Sequence, residues 1–256
     1  MEHSYIDEYS HINSFIHAIE PRIKIFTFFV FIIIVIFTRP GSSFAFSLYG
    51  VLIFILILLS NIPIMLILKR SLAVIPFVLI MSVFVIFLKA GRPLWEFSSR
   101  VFKLTITYEG LTMFISIAIK AYLCILCMLL LIVSTNFLNL LKAFEKLKIP
   151  AVLIMVISFM YRYLFILEDE LMMMKRAKNS RTVGGSGWFH TKVLSNMLGV
   201  LFVRAYERAE DVYLAMCARG FDGQIKTIYD YKMGIKDFVF LAVITSAVSI
   251  IKIIAG

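Results

Sequence analysis

Residues 150–167 read PAVLIMVISFMYRYLFIL, and the architecture of the chain turns on whether this stretch crosses a bilayer. Its 18 residues are long enough and apolar enough to do so. Two features argue against crossing. Arg162 lies inside the stretch, where an arginine at a helix centre costs about 2.5–3.5 kcal/mol on insertion scales. The segment that follows, Glu168 to Lys236, carries eleven Lys or Arg residues, among them Lys175, Arg176, Lys178, Arg181, Arg204, Arg208 and Arg219. Segments this basic near membrane ends stay on the cytoplasmic side. We therefore expect residues 150–167 to lie against other helices near the cytoplasmic face.

Upstream, four apolar runs have the length that a core of about 30 Å requires: residues 22–38, 43–60, 72–88 and 111–133. Residues 237–254 make a fifth. Arg39-Pro40-Gly41 reads as a tight turn, Asn61-Ile62-Pro63 with Lys69-Arg70 as a second exit, and Gly91-Arg92-Pro93 as the opening of a longer loop. Arg22, Lys24, Lys69 and Arg70 set the N-terminus inside, and four spans return the chain to the cytoplasm at Ser134. Arg92, Arg100 and Lys103 then lie outside, against the charge rule. The expected fold is an all-α membrane protein with five transmembrane helices, N-terminus in and C-terminus out, plus three amphipathic cytoplasmic helices.

Composition agrees. Of 256 residues, 61% are hydrophobic and 16% charged, and mean hydropathy is +0.93, too little polar surface for a soluble domain of this length. The net charge of +10 fits loops that meet anionic headgroups, and nucleic acid is not expected as a partner. Cys124, Cys127 and Cys217 make no disulfide framework, and the Cys124–Cys127 pair falls in an apolar run where thiols act as small hydrophobes. Glu2, Asp7, Glu8 and Glu20 precede the first apolar run, unlike a cleaved signal peptide.

The chain divides on this reading into residues 1–135 (tail and spans one to four), 136–236 (cytoplasmic helices) and 237–256 (last span). Within 136–236 we expect helices over 138–147, from Pro150 to about Arg181, and over 188–219. The first ends at Ile149-Pro150, because a residue before proline is pushed out of helical geometry. Gly184-Gly185-Ser186-Gly187 breaks the second from the third. In the third, Val193, Met197, Leu201, Ala205, Ala209, Val212 and Met216 recur at helical spacing opposite Lys192, Glu207 and Asp211. At about 1.5 Å per residue the third helix is roughly 48 Å long, a platform rather than a pocket.

Both long helices end in an arginine. Ala218-Arg219-Gly220 closes the third, where glycine suits a left-handed cap and arginine the negative end of the helix dipole. Ser180-Arg181-Thr182 closes the second. A guanidinium at such a tip can form paired hydrogen bonds with a partner's carboxylate.

These ends, with Tyr161-Arg162-Tyr163-Leu164 and the run from Glu207 to Gly223, resemble the transmembrane coupling (T) subunit of energy-coupling-factor transporters, nearest to the cobalt-type branch. The resemblance covers nearly the whole chain, including Ile19-Glu20-Pro21-Arg22-Ile23-Lys24. It implies that Arg181 and Arg219, within motifs of the Ala-Arg-Gly kind, dock onto two ATP-binding cassette subunits. The second motif is intact; in the first, Ser180 stands for Ala and Thr182 for Gly. It further implies a separate substrate-binding membrane subunit, a prokaryotic cell-membrane location, and ATP and Mg bound by the partners rather than by this chain. No Gly-x-x-x-x-Gly-Lys-Ser/Thr loop occurs in the sequence, so if the chain serves an ATP-driven transporter its energy comes from such a partner.

Four residues are weighed further. Lys120 lies near the middle of the fourth span; it either snorkels or pairs within the bundle, or contacts the substrate-binding subunit. His3, Asp7 and His11 are spaced to share a helix face and have metal-ligand chemistry, but a solvated terminus explains them better. The functional expectation is a non-enzymatic coupling subunit of a cobalt or nickel importer. The alternatives are a T subunit serving a vitamin importer and a self-sufficient secondary transporter or channel.

Overall fold

The first long helix begins at Pro21, a first-turn position where the missing amide has no intrahelical partner to lose. The computed structural model describes residues 14–88, 93–98, 103–181, 187–222 and 234–255. A short α1 (Phe15–Ala18), capped by Ser14, leads into α2 (Pro21–Phe37). Arg39-Pro40-Gly41 then reverses the chain, with Gly41 at φ +97°, a left-handed value that suits glycine. Next, α3 (Ser43–Leu59) stops at Asn61, whose φ of 52° is one that asparagine tolerates better than most residues.

Then α4 (Ile64–Leu88) runs 25 residues with Pro76 inside it. The expected span began at Leu72, so the helix starts eight residues early and takes in Lys69 and Arg70. The reversal is complete at Asn61-Ile62-Pro63, and Lys and Arg are good helix formers that need not mark an exit.

The expected loop after α4 is instead a hairpin of β1 (Pro93–Ser98) and β2 (Lys103–Thr107). The strands pair antiparallel, with Trp95 opposite Ile106 and Phe97 opposite Leu104, and a bulge between Pro93 and Trp95. Aromatic and β-branched residues favour such pairing. Helix α5 (Tyr108–Ser134) follows at once. Thr107 caps it, its hydroxyl oxygen accepting the Gly110 amide at 3.2 Å. The last helix, α9 (Ile235–Ala255), has Asp237 accepting the Gly234 amide at 2.9 Å, half of a capping box.

Among the described residues these helices form one unit, 14–140 with 234–255. Helix α5 packs along α4, α2 and α3, and α9 packs on α2 and α3. Phe28, Phe31, Val35, Tyr49, Ile53, Leu130 and Val248 fill the core. Phe31 meets Tyr49 edge-on at 5.9 Å, and Tyr49 shares a hydrogen bond with Thr38. Phe26, Phe29, Phe54, Leu58 and Phe77 point outward, as helix surfaces facing lipid do.

The second unit, described by itself, covers residues 141–222. Helix α6 (Phe137–Lys146) straddles the boundary and closes at Lys148, which adopts φ 66°. The Ile149 amide donates back to Phe144 at 3.3 Å and the Lys148 amide to Glu145 at 3.1 Å, a Schellman end just before Pro150. Two long helices follow, α7 (Ala151–Arg181) and α8 (Gly187–Ala218). These bounds agree with the sequence reading to within a residue or two.

By length and composition α4, α5, α7 and α9 could each cross a membrane, and α3 is a shorter apolar helix. The chain is an all-α membrane protein, with one small hairpin among the described residues. Composition alone leaves α7 able to cross, as residues 150–167 already indicated; its side is a question of charge.

Candidate functional site

The end of α8 has a defined shape. Gly220 sits at φ +77°, the Gly220 amide donates to the Cys217 carbonyl at 3.0 Å, and the Phe221 amide reaches the Met216 carbonyl at 3.1 Å. This is the Schellman pattern, and it satisfies carbonyls that would otherwise be orphaned at the helix end. Arg219 is the residue between helix and cap, and its side chain is exposed, as are Ala218 and Gly220. A Cβ at Gly220 would meet nothing within 4 Å, so the backbone angle alone demands glycine there. The guanidinium therefore projects from a fixed tip.

Arg181 is the last residue of α7 and is exposed. Ser180 returns its hydroxyl to the Arg176 carbonyl at 3.1 Å. Thr182 lies outside the described residues, so the first motif is seen only as far as Arg181.

The helices α7 and α8 meet over part of their length, and the sequence did not reveal how. Val156, Phe159, Met160, Tyr163 and Leu167 of α7 face Ala205, Arg208, Ala209, Val212 and Met216 of α8 across an apolar groove of about 330 Å³. Farther along, Arg204 of α8 pairs with Glu170 of α7. Rising numbers on α7 thus meet falling numbers on α8, so the helices run antiparallel. Arg181 stands 25 residues beyond Val156, about 37 Å at 1.5 Å per residue, while Arg219 lies just past Met216. The structure does not bring the two arginines together; it sets them at opposite ends of the helix pair. The sequence signal for this contact was the small pair Ala205 and Ala209, one turn apart. Nothing local could have matched Glu170 to a residue 34 positions away.

Large apolar side chains of α8 are uncovered. Trp188 is 81% exposed, Phe202 73% and Tyr206 66%, and α8 buries no residue at all. Tyr213, one turn before Cys217, has the pKa of its hydroxyl raised above the usual value, chiefly by a hydrogen bond with that side chain.

Lys120 has partners inside the bundle: its ammonium donates to the Thr38 carbonyl and, at 2.8 Å, to that of Ile36. These bonds tie the ammonium to the end of α2. Cys127 is buried and Cys124 half-buried, and both are free thiols. Among the described residues no three His, Cys, Asp or Glu side chains gather as a metal site. His3, Asp7 and His11 fall outside the described residues.

The model of the cobalt transport protein family CbiQ matches residues 12–229. An uncharacterized protein of Methanocaldococcus jannaschii is 31% identical over 249 residues, covering 94% of this chain and 82% of its own length. The energy-coupling factor transporter transmembrane protein EcfT of Macrococcus caseolyticus is 30% identical over 226 residues, covering 83% of this chain and 82% of its own. That of Staphylococcus aureus is 27% identical over 253 residues, covering 93% and 92%. Matched from before α1 to beyond the capped end of α8, the chain belongs to the CbiQ cobalt transport protein family.

Proposed function

We propose that the chain is the transmembrane coupling subunit of an ATP-driven importer of the energy-coupling-factor type, carrying cobalt or nickel ions. It joins two ATP-binding cassette subunits to a substrate-binding membrane subunit. The observation that carries this reading is the pair of arginine-tipped helices, antiparallel and so presenting Arg181 and Arg219 about 40 Å apart in helix length. Two separated cationic tips suit two copies of a partner, and Arg219's capped end suits a paired bond to a carboxylate. Closure of the ATPases on nucleotide moves the tips relative to each other, and rigid helices deliver that shift as shear or hinge motion.

The eleven Lys and Arg residues of the segment from Glu168 to Lys236 support placing it in the cytoplasm, with α2, α3, α4, α5 and α9 as five spans and the N-terminus inside. Arg162 is exposed on α7, which favours an interfacial position over a central one. Nucleotide and Mg belong to the partners. The family description supports cobalt, and the relatives' names support the coupling-factor assembly without naming a substrate; a vitamin importer is the second reading. A self-sufficient transporter is less favoured, because Lys24 and Lys120 are engaged by backbone carbonyls rather than aimed along a path.

The test is co-expression with the ATPase genes and affinity purification of the tagged chain. Stoichiometric recovery of ATPase subunits with nucleotide-dependent hydrolysis is expected. Recovery of the chain alone, or nucleotide binding by the isolated chain, contradicts the proposal.

A further inference from the structure

Two lysines in the bundle are placed at the wrong end of, or away from, anything their own helix offers them. Lys24 lies in the first turn and a half of α2, where the helix dipole repels a cation. It is 1% exposed, and its ammonium donates to the carbonyl of Ser134, the last residue of α5, at 3.0 Å. It also reaches the His17 carbonyl at 3.4 Å, and the Asp237 carboxylate attracts it. Lys120, on α5, does the converse. Its ammonium donates to the carbonyls of Ile36 and Thr38, where α2 ends. Each antiparallel helix thus lends a cation to the negative end of the other, and the spacings match. Lys24 and Thr38 are 14 residues apart, and so are Lys120 and Ser134.

We infer that α2 and α5 are locked in axial register by this reciprocal lysine clamp, with Lys24 and Lys120 as its positioning residues. A slip of one helix along the other breaks both ends at once, because the donor-to-acceptor distance is the same on each. Ser134 and Thr38 are buried, so helix-end carbonyls orphaned there have no water to fall back on and the bonds are costly to lose. The clamp holds Ser134, three residues before α6 begins, so a pull arriving through α6 is shared by α2 instead of sliding α5. That last use rests on the coupling reading; the lock does not.

Cys127 reports on the register, since it is 2% exposed with its Sγ 3.9 Å from the Phe28 carbonyl on α2. In a chain carrying Cys124→Ala and Cys217→Ser, N-ethylmaleimide modification of Cys127 is timed in native membranes. Lys24→Met and Lys120→Met are each expected to speed it roughly tenfold, the scale of one partly buried helix-end interaction, and Lys→Arg at each position to restore slow reaction. Lys120 is the less buried, so its variant decides the matter where Lys24→Met fails to fold. Unchanged rates in Lys120→Met, or Arg variants as fast as Met, overturn the clamp. In the complex with captured ATPases, hydrolysis should leave Cys127 slow in the unsubstituted lysine pair and fast in Lys120→Met. Acceleration by hydrolysis with both lysines present overturns a lock that persists through the cycle. A chain that captures no ATPase defeats the coupling reading, while the timing on the chain alone still decides the lock.

Discussion

The bundle helices are almost wholly apolar while α7 and α8 mix apolar with charged residues, and the two regions come out opposite. In the bundle Phe28, Tyr49, Leu130 and Val248 vanish into a core, and buried polar groups are tied off by carbonyls and caps. In α7 the buried residue is Ile154, and α8 has none. The bundle is complete with lipid around it. The helix pair is not: Trp188, Phe202 and Tyr206 are aromatic groups of the sort that anchor protein contacts, and the ion pair between Glu170 and Arg204 is a surface one. What separates the regions is where the apolar area goes, into the molecule or out to something else.

Damage at Arg219 should fall wholly on assembly. Arg219→Glu is expected to abolish ATPase recovery, turning an attractive pair into a like-charge contact, while membrane insertion and thermal stability in detergent stay unchanged. Arg219→Ala should weaken recovery by about 2–5 kcal/mol, the range for removing one partner of a buried charge pair. Arg181→Ala should act at the second ATPase and less severely. Retained assembly in Arg219→Glu would reduce Arg219 to a helix-end charge.

The converse break is in the bundle. Phe28→Ala should lower unfolding stability by about 3–5 kcal/mol, read by thermal denaturation in detergent, through a cavity in the core. Phe202→Ser on α8 should leave that transition in place and lower the yield of assembled complex. If Phe202→Ser instead destabilises the chain alone, the uncovered face has an internal partner and the contrast fails.

The cap sharpens the comparison by separating shape from charge. Gly220→Ala keeps Arg219 but forces a side chain into the left-handed region, at a cost of about 1 kcal/mol. Because the added Cβ meets nothing within 4 Å, the loss should appear in ATPase recovery more than in helix content by circular dichroism. Arg204→Met should be smallest, at most about 1 kcal/mol, since its side chain is 55% exposed.

Much of this division is legible in the sequence. Pro150 and the Gly184–Gly187 cluster set the bounds of α7 and α8, and Gly220 announces the cap of α8 through a rule of backbone geometry. The apolar run around Lys120 marks α5. Other features are hidden for physical reasons. Lys69-Arg70 looks like an exit but is carried inside α4, because a long basic side chain can reach an interface from within a helix. The β1–β2 hairpin is short, and strand propensity over five or six residues is easily taken for loop. Lys120 stands out as a charge in a span, yet its acceptors are backbone carbonyls more than 80 residues away, which no side-chain pattern encodes. The same is true of Lys24 and Ser134, and of Glu170 and Arg204.

The central claim is that the α7–α8 pair is a cytoplasmic docking surface, and Cys217 tests it directly. It is exposed and lies two residues before Arg219. With Cys124 and Cys127 replaced by alanine, an impermeant maleimide is applied to intact cells and to inside-out vesicles, with and without bound ATPase subunits. The account predicts modification only in inside-out vesicles, slowed when the ATPases are bound. Modification from the external face of intact cells would contradict it.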